Sequence, residues 1–113
     1  MHEISIVQGA LDVALETAKA SAATQILCLR MRVGTMTGVV PEAMQFAFEV
    51  LREGTIAAEA RLEIETIPAS SWCVNCQCEF ECVDWLHVCP KCQQPSSDLR
   101  RGLELELASM EVT

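Results

Sequence analysis

Two places in this chain gather side chains that could hold a metal ion, and they differ in donor type. The first is its opening, Met1-His2-Glu3. The Met1 amine and the His2 amide nitrogen would close a five-membered chelate ring, and that amide with the His2 imidazole Nδ1 a six-membered one. Three nitrogens in one plane suit Ni(II) or Cu(II) better than tetrahedral zinc. The plainer reading is a frayed terminus without function.

The second place is Cys73-Val74-Asn75-Cys76 and Cys89-Pro90-Lys91-Cys92, with residues 77–88 between the pairs. Two residues between cysteines let a tight turn aim both sulfurs at one ion. Two such knuckles complete a tetrahedral four-cysteine site, for which zinc is the default metal. Four thiolates leave no open coordination position, so the site is expected to be structural rather than catalytic. Iron in a rubredoxin-like site and a redox dithiol are the alternatives the spacing leaves. Cys78 and Cys82 fall between the knuckles and could compete for metal or form a disulfide under oxidation; the plainer reading is a partly buried thiol. His87 could replace one cysteine, against a structural or solvent-facing histidine. Trp72 and Trp85 are expected to pack around the metal loop.

The elements that must position these residues follow from periodicity. Ile4, Val7, Leu11, Ala14, Leu15 and Ala18 recur at three- and four-residue steps, an amphipathic helix with Gly9 inside it at a cost of about 1 kcal/mol. Leu27, Leu29, Met31 and Val33 alternate with Cys28, Arg30 and Arg32, a strand with one buried face. Gly34 and Gly38 bracket a turn. Pro41 opens a second helix with Met44, Ala47, Phe48 and Leu51 on one stripe, and Gly54 ends it. Leu62 and Ile64 alternate with Glu63 and Glu65 in a second strand, and Leu103, Leu105 and Leu107 with Glu104 and Glu106 in a last one. Arg30 and Arg32 are expected opposite glutamates of the neighbouring strands, as a solvated face.

The fold class that results is α+β: a two-layer domain with two helices on a three-stranded mixed sheet, plus an inserted zinc-ribbon-like four-cysteine module. The strand-helix-strand unit from Ile26 to Ile67 should be a right-handed crossover with parallel strands. The domain boundaries are 1–68 with 102–113 for the α/β part and 69–101 for the insertion. That insertion shows no helical or strand period, so a metal must staple it.

Composition narrows the function further. Among 113 residues there are seven cysteines, an odd number that suits the reducing cytoplasm better than a secreted disulfide scaffold. Asp12, Glu16 and Lys19 interrupt the first apolar stretch, so neither a signal peptide nor a membrane span is expected. A net charge of −8 opposes attraction to phosphate backbones. Within the insertion Glu79, Glu81, Asp84 and Asp98 outnumber Lys91, Arg100 and Arg101, so no basic stripe is available for nucleic acid.

In these residues the chain resembles the HypA/HybF nickel-insertion accessory proteins of nickel-iron hydrogenase maturation. The resemblance rests on Met1-His2-Glu3 opening into a helix, on Cys73, Cys76, Cys89 and Cys92, and on Val39-Val40-Pro41-Glu42 followed by Phe46-Ala47-Phe48-Glu49. It implies a cytoplasmic metallochaperone, not an enzyme, that delivers Ni(II) to the hydrogenase large-subunit precursor together with a HypB-type maturation GTPase. Some relatives serve urease maturation proteins as well. By the same resemblance His2 is the indispensable nickel ligand, with the Met1 amine, the His2 amide and the backbone or carboxylate of Glu3 beside it, and the four knuckle cysteines hold structural zinc. Some members place a further carboxylate near the start of the second helix; here Val40 and Pro41 stand there and only Glu42 is near. The exposed last strand beside a long insertion would permit strand exchange, leaving monomer or homodimer open. The competing functions are a zinc-ribbon protein-interaction module without nickel transfer and a thiol enzyme using Cys73 and Cys76 or Cys78 and Cys82. No thioredoxin-like strand and helix surround those pairs.

Overall fold

A computed structural model describes residues 2–83 and 85–113 of the chain. The elements in order are α1 (Glu3–Ala20), β1 (Ile26–Gly34), a 3₁₀ turn (Thr35–Thr37), α2 (Pro41–Leu51), β2 (Arg61–Ile67), β3 (Ser70–Cys73), β4 (Cys78–Glu81), β5 (Leu99–Arg101) and β6 (Leu105–Val112). They fall into two compact units. Met1–Arg32, Val39–Glu65 and Glu106–Thr113 compose the first, and Val33–Gly38 with Thr66–Leu105 the second.

In the first unit both helices form where the periodicity places them. α1 buries Val7, Leu11, Ala14 and Ala18, with Glu3 in its first turn and Lys19 in its last, each complementing the helix dipole. Gly9 sits inside α1 without interrupting it. Pro41 occupies the first turn of α2, which buries Met44, Ala47 and Phe48 and packs against α1. The chain leaves α2 through Arg52 and reaches Gly54 with φ 75°, a left-handed turn that glycine adopts freely.

The sheet beneath has the order β2-β1-β6. Arg30 pairs with Glu63 and Arg32 with Glu65, so β1 and β2 run in the same direction. Arg30 also reaches Glu111 and Arg32 reaches Glu106, so β6 runs against them and the sheet is mixed. The expected charge stripe is therefore present on the outer face. Two positions of β1 differ from the expected alternation: Leu27 is exposed, and Cys28, on the opposite face, is wholly buried. The Arg30–Glu63 pair covers Cys28, whose thiol donates to Glu63 at 3.5 Å.

In the second unit the sheet order is β4-β3-β5. The insertion thus has strands that its composition did not announce. Ser71, Cys73 and Ala69 on β3 and its approach face Phe80, Cys78 and Cys82 on β4 and just past it, a period-two pattern hidden because its cysteines read as metal ligands. Phe80 joins Ala69, Cys73, Cys82 and Cys89 in the small core of this unit, with Met36 and Leu99 against it.

The last strand also departs from expectation. Leu103 is 63% exposed and precedes β6 rather than belonging to it. The cause is Gly102, at φ 120°, whose carbonyl accepts the Met36 N–H and whose own N–H donates to the Glu104 carboxylate. Gly34 allows this: a Cβ there would stand 2.1 Å from the Gly102 carbonyl. Leu103 is turned outward by that clasp, and the ladder resumes at Leu105.

Candidate metal centre

Each knuckle is a turn that follows directly from its sequence. Cys73 ends β3, the Cys76 N–H donates back to the Cys73 sulfur at 3.3 Å, and Gln77 turns the chain left-handed at φ 55° into β4. In the second knuckle the Gln93 N–H donates to the Cys89 carbonyl and Gln93 sits at φ 63°. Both glutamines also return a side-chain amide to the turn, Gln77 to the Val74 carbonyl and Gln93 to that of Pro90. A bridge between Val88 and Pro95 closes the base of the second knuckle.

These turns bring the sulfurs of Cys73, Cys76, Cys89 and Cys92 within 4.8 Å of one another. Cys73 and Cys92 are 3.5 Å apart and Cys89 and Cys76 3.9 Å. A tetrahedron with metal–sulfur bonds of ~2.3 Å has sulfur–sulfur edges of about 3.8 Å, so the cluster matches a closed four-thiolate site.

The electrostatics agree. Backbone N–H donation at Gln94, with the Asn75 side chain, pulls the Cys92 thiol down to about 6. Donation from the Cys92 and Lys91 amides lowers Cys89. The bond to Cys92, with burial, pushes Cys76 up to about 12. Four thiols this close cannot all ionise unaided, since each thiolate opposes the next; a divalent cation removes that opposition.

The other residues singled out in the insertion lie elsewhere. His87 is not among the clustered ligands; its Nδ1 lies 3.2 Å from the buried hydroxyl of Ser71, which also receives the Cys82 thiol at 3.4 Å. Trp85 is 71% exposed and does not pack around the metal loop, because Phe80 takes the interior position. Trp72 is half-buried under the Arg100 guanidinium, 4.8 Å from its ring. Asp84 lies outside the described residues.

At the other candidate site Met1 likewise lies outside the described residues. His2 is exposed and extended, at the position that caps α1, and its carbonyl accepts the Ser5 and Ile6 N–H groups. Its side chain makes no capping bond. The Glu3 carboxylate instead accepts the Val40 N–H at 3.1 Å, and that bond is the first reason its pKa is lowered. So α1 is tied at its first residue to the start of α2, beside an open groove lined by Ala43, Phe46 and Val50. The Val40 amide is a participant that no side-chain pattern signals.

A two-helix, mixed-sheet unit together with a zinc-ribbon-like four-cysteine unit defines a metal-binding protein. Residues 1–112 match the family model described as HypA, hydrogenase/urease nickel incorporation metallochaperone, and the chain belongs to that family. It is 42% identical to the hydrogenase maturation factor HypA of Picosynechococcus sp. and 34% identical to that of Rhizobium leguminosarum bv. viciae, each over 99% of both chains. Its fold is similar to the solution structure of the nickel metallochaperone HypA from Helicobacter pylori, with a TM-score of 0.68, 27% identity, and 99% of this chain and 97% of that one covered. Among the described residues no helix is long and apolar enough to cross a membrane.

Proposed function

We propose that this chain carries Ni(II) on its N-terminus for insertion into the hydrogenase large-subunit precursor, and that its four cysteines hold a structural zinc. The observation that carries the nickel reading is the state of His2: exposed, uncapped and extended at the first turn of α1. Amide nitrogens there have no intrahelical acceptor, and the positive end of the helix favours the deprotonated amide that must bind a metal. The Met1 amine, the His2 amide and the His2 imidazole supply three donors in one plane. Glu3 contributes through its backbone, because its carboxylate is committed to Val40, where it steadies the terminus.

The two sites divide metals by donor type. Cys73, Cys76, Cys89 and Cys92, closed around one point, retain a soft-ligand ion and brace β3, β4 and the second knuckle. A set of nitrogen donors beside the exposed His2 holds Ni(II) loosely enough to pass it on. The work is binding and hand-over, in the cytoplasm, to a HypB-type GTPase and the hydrogenase precursor, with urease maturation proteins as a second destination.

Adding one residue before Met1 tests the terminal chelate. The extended protein should bind Ni(II) at least tenfold more weakly by titration while its zinc content stays the same. Equal nickel affinity in the extended and native proteins would place the ligands elsewhere.

A further inference from the structure

Cys78 is not one of the four clustered sulfurs, but the strand register sets it opposite one of their residues. In the β3–β4 hairpin, Cys73 and Cys78 are direct cross-strand partners, the last pair before the turn of residues 74–77. Opposed residues of an antiparallel pair point to the same face with Cα atoms about 4.5–5.5 Å apart. Two cysteines close a disulfide at Cα separations of about 4.4–6.8 Å. Cys73 is buried and Cys78 half-buried, so the pair has one side open to a small solute. Cys82 has no such relation to the cluster: it lies four pairs further along, bonded through its N–H to Ala69 and through its thiol to Ser71.

We infer that Cys73 and Cys78 form a reversible disulfide when the protein meets a peroxide, and that closing it opens the metal site. The inference rests on the reading of the four cysteines as a zinc site. In the first step one thiolate attacks a peroxide oxygen; the O–O bond breaks, and the departing oxygen takes up a proton and leaves as water or an alcohol. The attacked cysteine becomes a sulfenic acid. The second sulfur then displaces its hydroxyl, which departs as water with the second thiol's proton, and the S–S bond forms. Each cysteine gives up one electron and the peroxide gains two. Either sulfur can act first with the same product. Cys76, Cys89 and Cys92 remain, one donor short of a closed tetrahedron.

The test uses the zinc-loaded full chain and hydrogen peroxide, with zinc release followed by a colorimetric chelator. Cleavage after Glu65 and Glu79 isolates Cys73, Cys76 and Cys78 on one fragment for mass spectrometry. Native protein should release zinc as a Cys73–Cys78 bond appears and rebind it after a thiol reductant. Cys78→Ser should release zinc about fivefold more slowly and without recovery, because a sulfenic acid lacking a partner thiol oxidises further. Cys82→Ser should behave as native. A bond from Cys78 to Cys76 or Cys82, or equally fast and reversible release from Cys78→Ser, overturns the inference. Zinc content before peroxide tests the underlying reading separately: a zinc-free native protein refutes it, and the mapped disulfide then decides the pairing of Cys73 with Cys78.

Discussion

At the scale of single residues, the glutamine that follows each knuckle shows how a turn can be held by its side chain against its own backbone preference. Gln77 and Gln93 occupy left-handed φ, where a Cβ is unfavourable, and each recovers part of that cost through an amide bond to the carbonyl three residues earlier. Alanine at position 77 would keep the unfavourable φ and lose the bond; glycine would lose the bond but relieve the φ. Gln77→Gly should therefore be about 1 kcal/mol more stable than Gln77→Ala in urea denaturation of the zinc-loaded protein. Gly9 predicts the opposite order from the same pair of residues. It lies in the interior of α1, where an added Cβ meets nothing within 4 Å, so Gly9→Ala should stabilise by about 0.5–1 kcal/mol. Gly34 admits no such change. A Cβ there would strike the Gly102 carbonyl, and Gly34→Ala should cost about 2–3 kcal/mol, read as a lowered denaturation midpoint.

At the scale of elements, α1, α2, β1 and β2 were legible because each buries one face and the period of that face is written in Val7-Leu11-Ala14-Ala18, Met44-Ala47-Phe48 and Leu29-Met31-Val33. β3 to β5 were not. They are short, and most residues that face inward are cysteines and a serine whose chemistry masks their alternation, with Phe80 between Cys78 and Cys82 as an apolar clue. Leu103 misled because its place in the alternation is cancelled by a clasp between glycines distant in sequence. The Glu3–Val40 bond had no local signature at all, since it joins a side chain to the backbone amide just before another helix. The outer face of the mixed sheet carries a pH prediction. The bond to Arg30, reinforced by its charge, lowers the Glu111 carboxyl. Burial raises Glu63, but the Cys28 thiol and the Arg30 and Arg61 charges outweigh it and leave that carboxyl low. Depressed carboxylates contribute stability that is present above their unfolded-state value of about 4 and is lost as pH falls from there through their lower folded-state values. The urea midpoint of the helical signal should therefore drop between pH 7 and pH 3, and should drop less in Glu111→Gln. Equal drops would remove Glu111 from the account.

At the scale of the whole molecule, the two units differ in what holds them. The first has the large apolar side chains of Val7, Leu11, Ile26, Leu29, Met31, Met44 and Phe48 in its interior; the second has Phe80 and cysteines. A chelator should therefore change Trp72 fluorescence as β3 to β5 loosen, while the helical signal of α1 and α2 persists. This division is also the physical basis of the proposed function, because a closed thiolate site and an open nitrogen site can release their metals separately. Nickel, held by nitrogen donors that protons displace, should leave on acidification before zinc does. The most direct measurement is the metal content of untagged protein given one equivalent of Ni(II), compared between the native chain and His2→Ala. The substitution should abolish nickel retention and leave zinc content and the helical signal unchanged. Undiminished nickel in His2→Ala would contradict a nickel site at the N-terminus.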